Sequence, residues 1–184
     1  MLAPHLPFAR ALLQACALPA LPCQPLPPIT PRLHAGIPGR KWQQIERFVA
    51  ALPQEYSRQK NSEQQSSLQK SSLQKSSLQT SSLQKKLPVL EWCAGKSHLG
   101  FLLQHCSGQP VTALEWNAGL VAQANARALQ WQCDLHSHAV DVLSGAAEPF
   151  VQAQQQIVAL HACGDLHVRL LHLAASASVA VAVL

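Results

Sequence analysis

The stretch Pro88-Val89-Leu90-Glu91-Trp92-Cys93-Ala94-Gly95-Lys96-Ser97-His98-Leu99-Gly100 decides the fold. Its first five residues form an apolar run interrupted by one acid, the pattern of a buried strand. Gly95 and Gly100 follow, and a helical pattern covers residues 98–105. A strand, a turn of small residues and a helix make the start of a β-α unit.

Downstream the same alternation repeats. Residues 111–115 read as a second strand. Residues 120–129 read as a helix with Leu120, Val121, Ala124, Ala128 and Leu129 on one face. A third strand is expected over 136–142, a short helix over 148–155 and a fourth strand over 157–161. A helix opened by Gly164 and Asp165 follows to residue 175, then a Val-rich fifth strand over 178–184. Strands alternating with helices imply right-handed β-α-β units. The predicted class is α/β: a Rossmann-like parallel sheet of about five strands behind a Pro-rich, partly disordered N-terminal segment.

Upstream the texture differs. Most of the thirteen prolines lie in residues 1–39. Proline fixes φ and removes a donor, so regular structure should be sparse there, apart from a short helix around residues 8–16. Residues 40–53 predict an amphipathic helix: Trp42, Ile45, Phe48, Val49 and Leu52 recur at helical spacing and Pro53 stops the run. Packing against a neighbouring domain is one role for it; binding a nucleic-acid backbone through Arg40 and Lys41 is another. Residues 54–86 carry a true repeat, Ser66-Ser67-Leu68-Gln69-Lys70 and three further copies starting at Ser71, Ser76 and Ser81. A period of five fits neither helix nor strand and is far too short for a solenoid unit, so the segment reads as a low-complexity linker. The fourth division is a domain over 87–184.

Composition narrows the classes. Hydrophobic residues are 48% and charged residues 12%, which excludes a wholly disordered charged chain. Six cysteines without a C-x-x-C pair make neither a disulfide scaffold nor a zinc ribbon, and reduced thiols in the cytoplasm are expected. The longest apolar run is too short to span a bilayer, so no membrane partner is expected. The net charge of +5 is uneven: residues 1–86 hold eleven Lys/Arg against three acids, and residues 87–184 hold three against six. The basic half either steers toward a polyanion such as RNA or serves as a solvated tail.

In a doubly wound sheet, ligands sit beyond the carboxyl ends of the strands. Gly95 and Gly100 suit a turn whose backbone N–H groups approach a nucleotide, although no G-x-G-x-x-G is present to support a dinucleotide dehydrogenase. Glu115 ends the second strand twenty residues after Gly95, where a carboxylate can accept two ribose hydroxyls. Asp141 and Val142 make a polar–apolar pair suited to flanking an adenine. His161 and Cys163 follow the fourth strand. Two ligands fall short of a zinc site, so a polar lining is the better reading and no metal is expected.

The strings Val-Leu-Glu-Trp-Cys-Ala-Gly-Lys at 89–96 and Leu-His-Ala-Cys-Gly-Asp-Leu at 160–166 resemble the class I S-adenosylmethionine-dependent methyltransferases. Within them they are similar to one methyltransferase-like branch. It includes uncharacterised bacterial methyltransferases, the domain of the glutathione S-transferase C-terminal domain-containing protein and, more distantly, tRNA 2′-O-methyltransferases. Residues 39–45 also resemble the segment preceding that domain. The resemblance implies S-adenosylmethionine as cofactor and methyl transfer to an unidentified acceptor, RNA among the candidates. It puts Glu91, Cys93, Gly95 and Lys96 at the methionine end, Glu115 and the adjoining Trp116 at the ribose, and Asp141 and Val142 at the adenine. His161 and Cys163 would face the methyl or the acceptor, with His161 as candidate base.

Two departures from that branch stand out. Its loop usually reads Lys-Gly-His where this chain has Lys96-Ser97-His98, and a positive φ there would strain a serine. The fold normally has seven strands, and this sequence stops at the fifth. A truncated domain would leave residues 178–184 as an apolar edge open to self-association. A non-catalytic or decayed fragment acting as a binding module is therefore the alternative function.

Overall fold

The computed structural model describes residues 23–52, 87–179 and 181–183. The helix expected at residues 8–16 and the repeat at 54–86 lie outside the described residues. Pro31–His34 forms a single turn, α1, with Pro31 at its first position, where a missing N–H costs nothing. Gly39–Ala51 is the amphipathic helix α2, which buries Trp42, Ile45 and Val49. The backbone N–H of Gln24 donates to Ala50 O at 2.7 Å and ties the extended segment before α1 to the end of α2.

The α/β part runs β1 (Val89–Trp92), α3 (His98–Ser107), β2 (Val111–Glu115), α4 (Ala118–Trp131), β3 (Leu135–Ala139), β4 (Gln156–Val158), α5 (Asp165–Ser176) and β5 (Val181–Val183). All five strands are parallel, in the order β3-β2-β1-β4-β5. The chain winds outward from β1 in one direction and from β4 in the other. The switch point, where a crevice opens in this topology, therefore lies between β1 and β4.

Period-two alternation assigns the two faces. Val89, Val111, Leu135 and Val158 join α1, α2, α3 and Ala128 of α4 in one core. Leu90, Trp92, Leu114 and Ile157 join Leu170 and Ala174 of α5 in the other. Thus α2, although far upstream of β1 in sequence, shares a core with the sheet.

Several boundaries differ from the expectations. The third strand ends at Ala139 rather than Val142, because Asp141 turns the chain: its Oδ1 accepts from Leu143 N at 3.0 Å and its carbonyl from Ser144 Oγ at 2.7 Å. The short helix expected over 148–155 is instead a 3-10 helix at Gly145–Phe150. Ser144 caps it early, and Pro149 supplies no donor to continue it. The fourth and fifth strands shrink to Gln156–Val158 and Val181–Val183. On α4, Leu129 is 83% exposed rather than facing the core, since the buried stripe of Val121, Ala124 and Ala128 lies about 100° away around the helix.

Candidate functional site

Unusual backbone conformations gather at the carboxyl ends of β1 and β4. After β1, Cys93, Gly95 and Ser97 have φ of 56°, 59° and 53°; after β4, His161 and Gly164 have 72° and 60°. Three of these five are not glycine, and left-handed backbone at such residues costs about 1 kcal/mol or more each. The surrounding hydrogen bonds hold the turn. Ala94 N donates to Leu114 O and Ser97 N to Ala94 O, both at 2.9 Å. The indole N–H of the fully buried Trp92 donates to Leu166 O at 3.1 Å and clamps the start of α5 to β1.

Two cavities flank this turn. The larger, about 340 Å³, lies over the ends of β1, β2 and β3. Its walls include Cys93, Glu115, Trp116, Asp141 and Val142, all five named from the sequence, together with Leu143 and Leu166, which were not. Glu115 is fixed from two sides: Gly95 N donates to Oε2 at 2.8 Å and Asn117 N to Oε1 at 3.0 Å. Each oxygen keeps one lone pair for a ligand. Asn117 also caps α4 by accepting from Gly119 N and Leu120 N. Trp116 is 76% exposed, and Val142 is buried in the wall.

The smaller cavity, about 170 Å³, lies on the α2/α3 side. Lys41, Glu91, Cys93, Gly95, His98 and His161 help line it. Alternation along β1 explains Glu91: it shares the face of Val89 and so points toward α3, where its Oε2 accepts from Gly100 N at 3.2 Å. That bond serves an otherwise unpaired donor in the first turn of α3. Burial pushes the Glu91 carboxyl up to about 8, against the opposing pull of the Gly100 N–H, Ser97 and Lys41. Burial likewise lowers His98 to about 4, helped by Arg127, Lys41 and Lys96, so its imidazole is neutral at physiological pH. The Cys93 thiol is raised to about 11 by burial and then by Glu115, which leaves it a poor nucleophile.

Gly100 leaves room for the Glu91 carboxyl: a Cβ there would lie 2.5 Å from Glu91 Oε2 and 3.0 Å from Val111 Cγ1, so the carboxyl would have to shift. Ser97, in the place of the glycine expected for such a loop, has positive φ and no exposure. Its hydroxyl makes no hydrogen bond of acceptable geometry, although it faces Glu91 closely enough to favour the charged carboxylate.

Not every residue named from the sequence converges. Lys96 and Cys163 are exposed, and neither lines a cavity. His161 is exposed but reaches the smaller cavity. Lys41 and His98 were missed as cavity residues. The only signal for them was the likeness of residues 39–45 and 96–98 to the loop-bearing branch, because α2 is brought over the site by tertiary packing alone. Among the described residues no group of three or more His, Cys, Asp or Glu side chains is arranged to hold a metal. No helix among them is long and apolar enough to cross a membrane.

A sequence family described as a methyltransferase domain matches residues 40–184. Comparison with curated proteins finds no match. Among solved structures, a geranyl diphosphate methyltransferase in complex with GPP and sinefungin aligns at 16% identity and TM-score 0.44, covering 52% of this chain and 35% of that one. The geranyl diphosphate C-methyltransferase from Streptomyces coelicolor A3(2) aligns at 15% identity and TM-score 0.37, covering 41% and 27%. TehB from Haemophilus influenzae aligns at 19% identity and TM-score 0.35, covering 40% and 24%. The matched part is thus about a quarter to a third of the length of those structures.

Proposed function

The chain belongs to the methyltransferase domain family, and from that premise we propose that it binds S-adenosylmethionine at the carboxyl edge of the sheet and directs its methyl group to an RNA acceptor. One observation carries the cofactor reading. A carboxylate and an aromatic rim from the end of β2 and an acid–apolar pair from the end of β3 meet around one cavity of about 340 Å³, and a second cavity with a lysine adjoins it through Cys93 at the end of β1.

The residues suit the parts of the molecule. Glu115 offers its two remaining lone pairs to the ribose hydroxyls. Val142, Leu143 and Trp116 offer apolar surface to a purine, and Asp141 an acceptor for its amino group. Lys41 places an ammonium in the smaller cavity to meet the methionine carboxylate, and Glu91 an acid to meet the amino group. S-adenosylmethionine, when bound, supplies a methyl already activated by its sulfonium charge. The chain's remaining task is to orient an acceptor. His161, at the mouth of the smaller cavity, is the candidate to take a proton from it. RNA as acceptor is supported by the excess of cations in residues 1–86.

The direct test is calorimetry and thermal melting of the full chain with S-adenosylhomocysteine. Binding with an upward melting shift is expected, since a ligand that binds only the folded state stabilises it. Glu115→Ala should weaken binding by about tenfold or more, the worth of a charged hydrogen bond. A folded chain that shows neither heat nor shift refutes the reading.

A second reading, a binding module without turnover, rests on Ser97. A side chain at a left-handed, fully buried position of the loop crowds the turn beside Glu91. It predicts cofactor binding with no methyl transfer to any RNA pool.

A further inference from the structure

Four cations form a connected group on the α2/α3/α4 side of the site. Lys41, Lys96 and Arg127 all bear on the partly buried His98. Arg127 lies 5.5 Å from the Trp131 ring centroid, and Arg32 lies 5.3 Å from the same ring. Arg127 is also 5.6 Å from the Phe101 ring. By geometry, Lys41 and His98 share the smaller cavity, Phe101 follows His98 by one turn of α3 under Arg127, and Trp131 joins Arg127 to Arg32 of α1. Among the described residues none of the four forms an ion pair with a carboxylate; the ion pairs there are Arg169–Glu148 and His136–Asp134. The acids near the site, Glu91 and Glu115, are already engaged by backbone N–H groups.

We propose that Lys96, Lys41, Arg127 and Arg32 are a phosphate track that holds the sugar–phosphate backbone of a single-stranded RNA and leads one nucleotide to the mouth of the cofactor site. The inference rests on the methyltransferase reading for the purpose of the track, but not for its existence. Cations without a carboxylate partner suit phosphates, and each phosphate neutralised releases condensed counterions. The two arginines are held by an aromatic ring, which orients their planar forks at little entropic cost and leaves their N–H edges for bidentate phosphate contact. An acidic peptide would meet the same cations; the cavity at the Lys41 end, beside the proposed methyl donor, favours a nucleic-acid chain. All four cations of the track lie among the described residues.

The experiment measures binding of a fluorescent single-stranded RNA of mixed sequence to the full chain across a salt series, by anisotropy. Affinity should fall steeply with salt, the four contacts contributing roughly −2 to −3 to the log–log slope at about 0.7 each. The variant Arg32→Gln/Arg127→Gln should bind on the order of tenfold more weakly and lose about 1 from the slope. Arg47→Gln serves as control: Arg47 lies on the side of α2 opposite its buried stripe and outside the track, and its loss should change affinity less than twofold. Arg32→Gln alone, an exposed change on α1, keeps the test available where the double variant fails to fold. It should bind about threefold more weakly.

No RNA binding at low salt, an unchanged slope in the Arg32 variants, or an equal loss in Arg47→Gln overturns the proposal. Equal displacement of RNA by an acidic peptide of matched charge does so too. S-adenosylhomocysteine binding is measured on the same samples. Its absence refutes the methyltransferase reading separately, and its retention in the Arg32 variants shows that the cofactor site is intact.

Discussion

Ser97→Gly should stabilise this protein, although it removes a buried side chain. The serine has φ of 53°, has no exposed surface, and leaves its hydroxyl without a hydrogen bond. Relief of the left-handed backbone is worth about 1 kcal/mol, and removal of an unsatisfied buried hydroxyl about 1–2 kcal/mol. Against this, glycine adds unfolded-state freedom costing about 0.5–1 kcal/mol, and the lost CH₂ burial costs about 0.8 kcal/mol. The balance is a gain of about 1 kcal/mol, or roughly 3–6 °C in melting temperature for a domain of this size. Differential scanning fluorimetry with a parallel urea titration measures both. Ser97→Ala separates the causes, because it removes the hydroxyl, keeps the strain and bears neither of the two costs of glycine, so it should gain about 1–2 kcal/mol, at least as much as glycine. A lower melting temperature for Ser97→Gly refutes the strain argument. An alanine variant no more stable than the parent would show that the hydroxyl carries no penalty.

Other substitutions probe the supports of the site. Gly100→Ala should destabilise by about 1–3 kcal/mol in urea unfolding, because the new methyl meets Glu91 Oε2 at 2.5 Å and the Val111 and Leu135 side chains at 3.0 and 3.1 Å; a neutral result would mean that the Glu91 carboxyl gives way to the methyl. Asn117→Ala should cost about 1 kcal/mol by uncapping α4, read from the same titration. Glu91 and His98 set the pH profile. Between pH 4.5 and 8 the Glu91 carboxyl releases its proton on unfolding, so stability falls as pH rises, at about 1.4 kcal/mol per unit. Between pH 4 and 6.5 His98 takes up a proton on unfolding, so stability is lost as pH falls. The two slopes offset one another from about 4.5 to 6.5, and the Glu91 decline alone remains from 6.5 to 8, where it amounts to about 2 kcal/mol. Glu91→Gln should flatten that decline in melts across the range; a variant whose profile runs parallel to the parent would place the titration elsewhere.

The sheet was legible because each strand carries a short apolar run between turn residues, and the crossovers carry helical spacing. Its limits were set by local chemistry that periodicity does not register. Asp141 closes an Asx turn and ends β3 three residues early. Ser144 and Pro149 replace an expected helix by a 3-10 turn. Leu129 matched a face by rough spacing yet sits outside the stripe that meets the sheet.

The candidate site was legible in proportion to how closely its residues follow strand ends. Glu115 and Val142 lie at or just beyond the carboxyl ends of β2 and β3, so topology alone delivers them to the larger cavity. Alternation on β1 then divides neighbours that look equivalent in sequence. Glu91 turns to α3 and becomes the floor beside Lys41, whereas Trp92 turns to α5 and becomes its clamp. Lys41 could not be reached in this way, since its place follows from Trp42, Ile45 and Val49 docking α2 on the core that holds Val89 and Leu99. The smaller cavity is therefore a product of packing between two segments distant in sequence, and its cation stands or falls with that docking. Loss of the α2 anchor, as in Trp42→Ala, should cost about 3 kcal/mol. It should also abolish whatever affinity depends on Lys41, while leaving Glu115 and Asp141 in place; an unchanged affinity for S-adenosylhomocysteine in that variant would exclude α2 from the site.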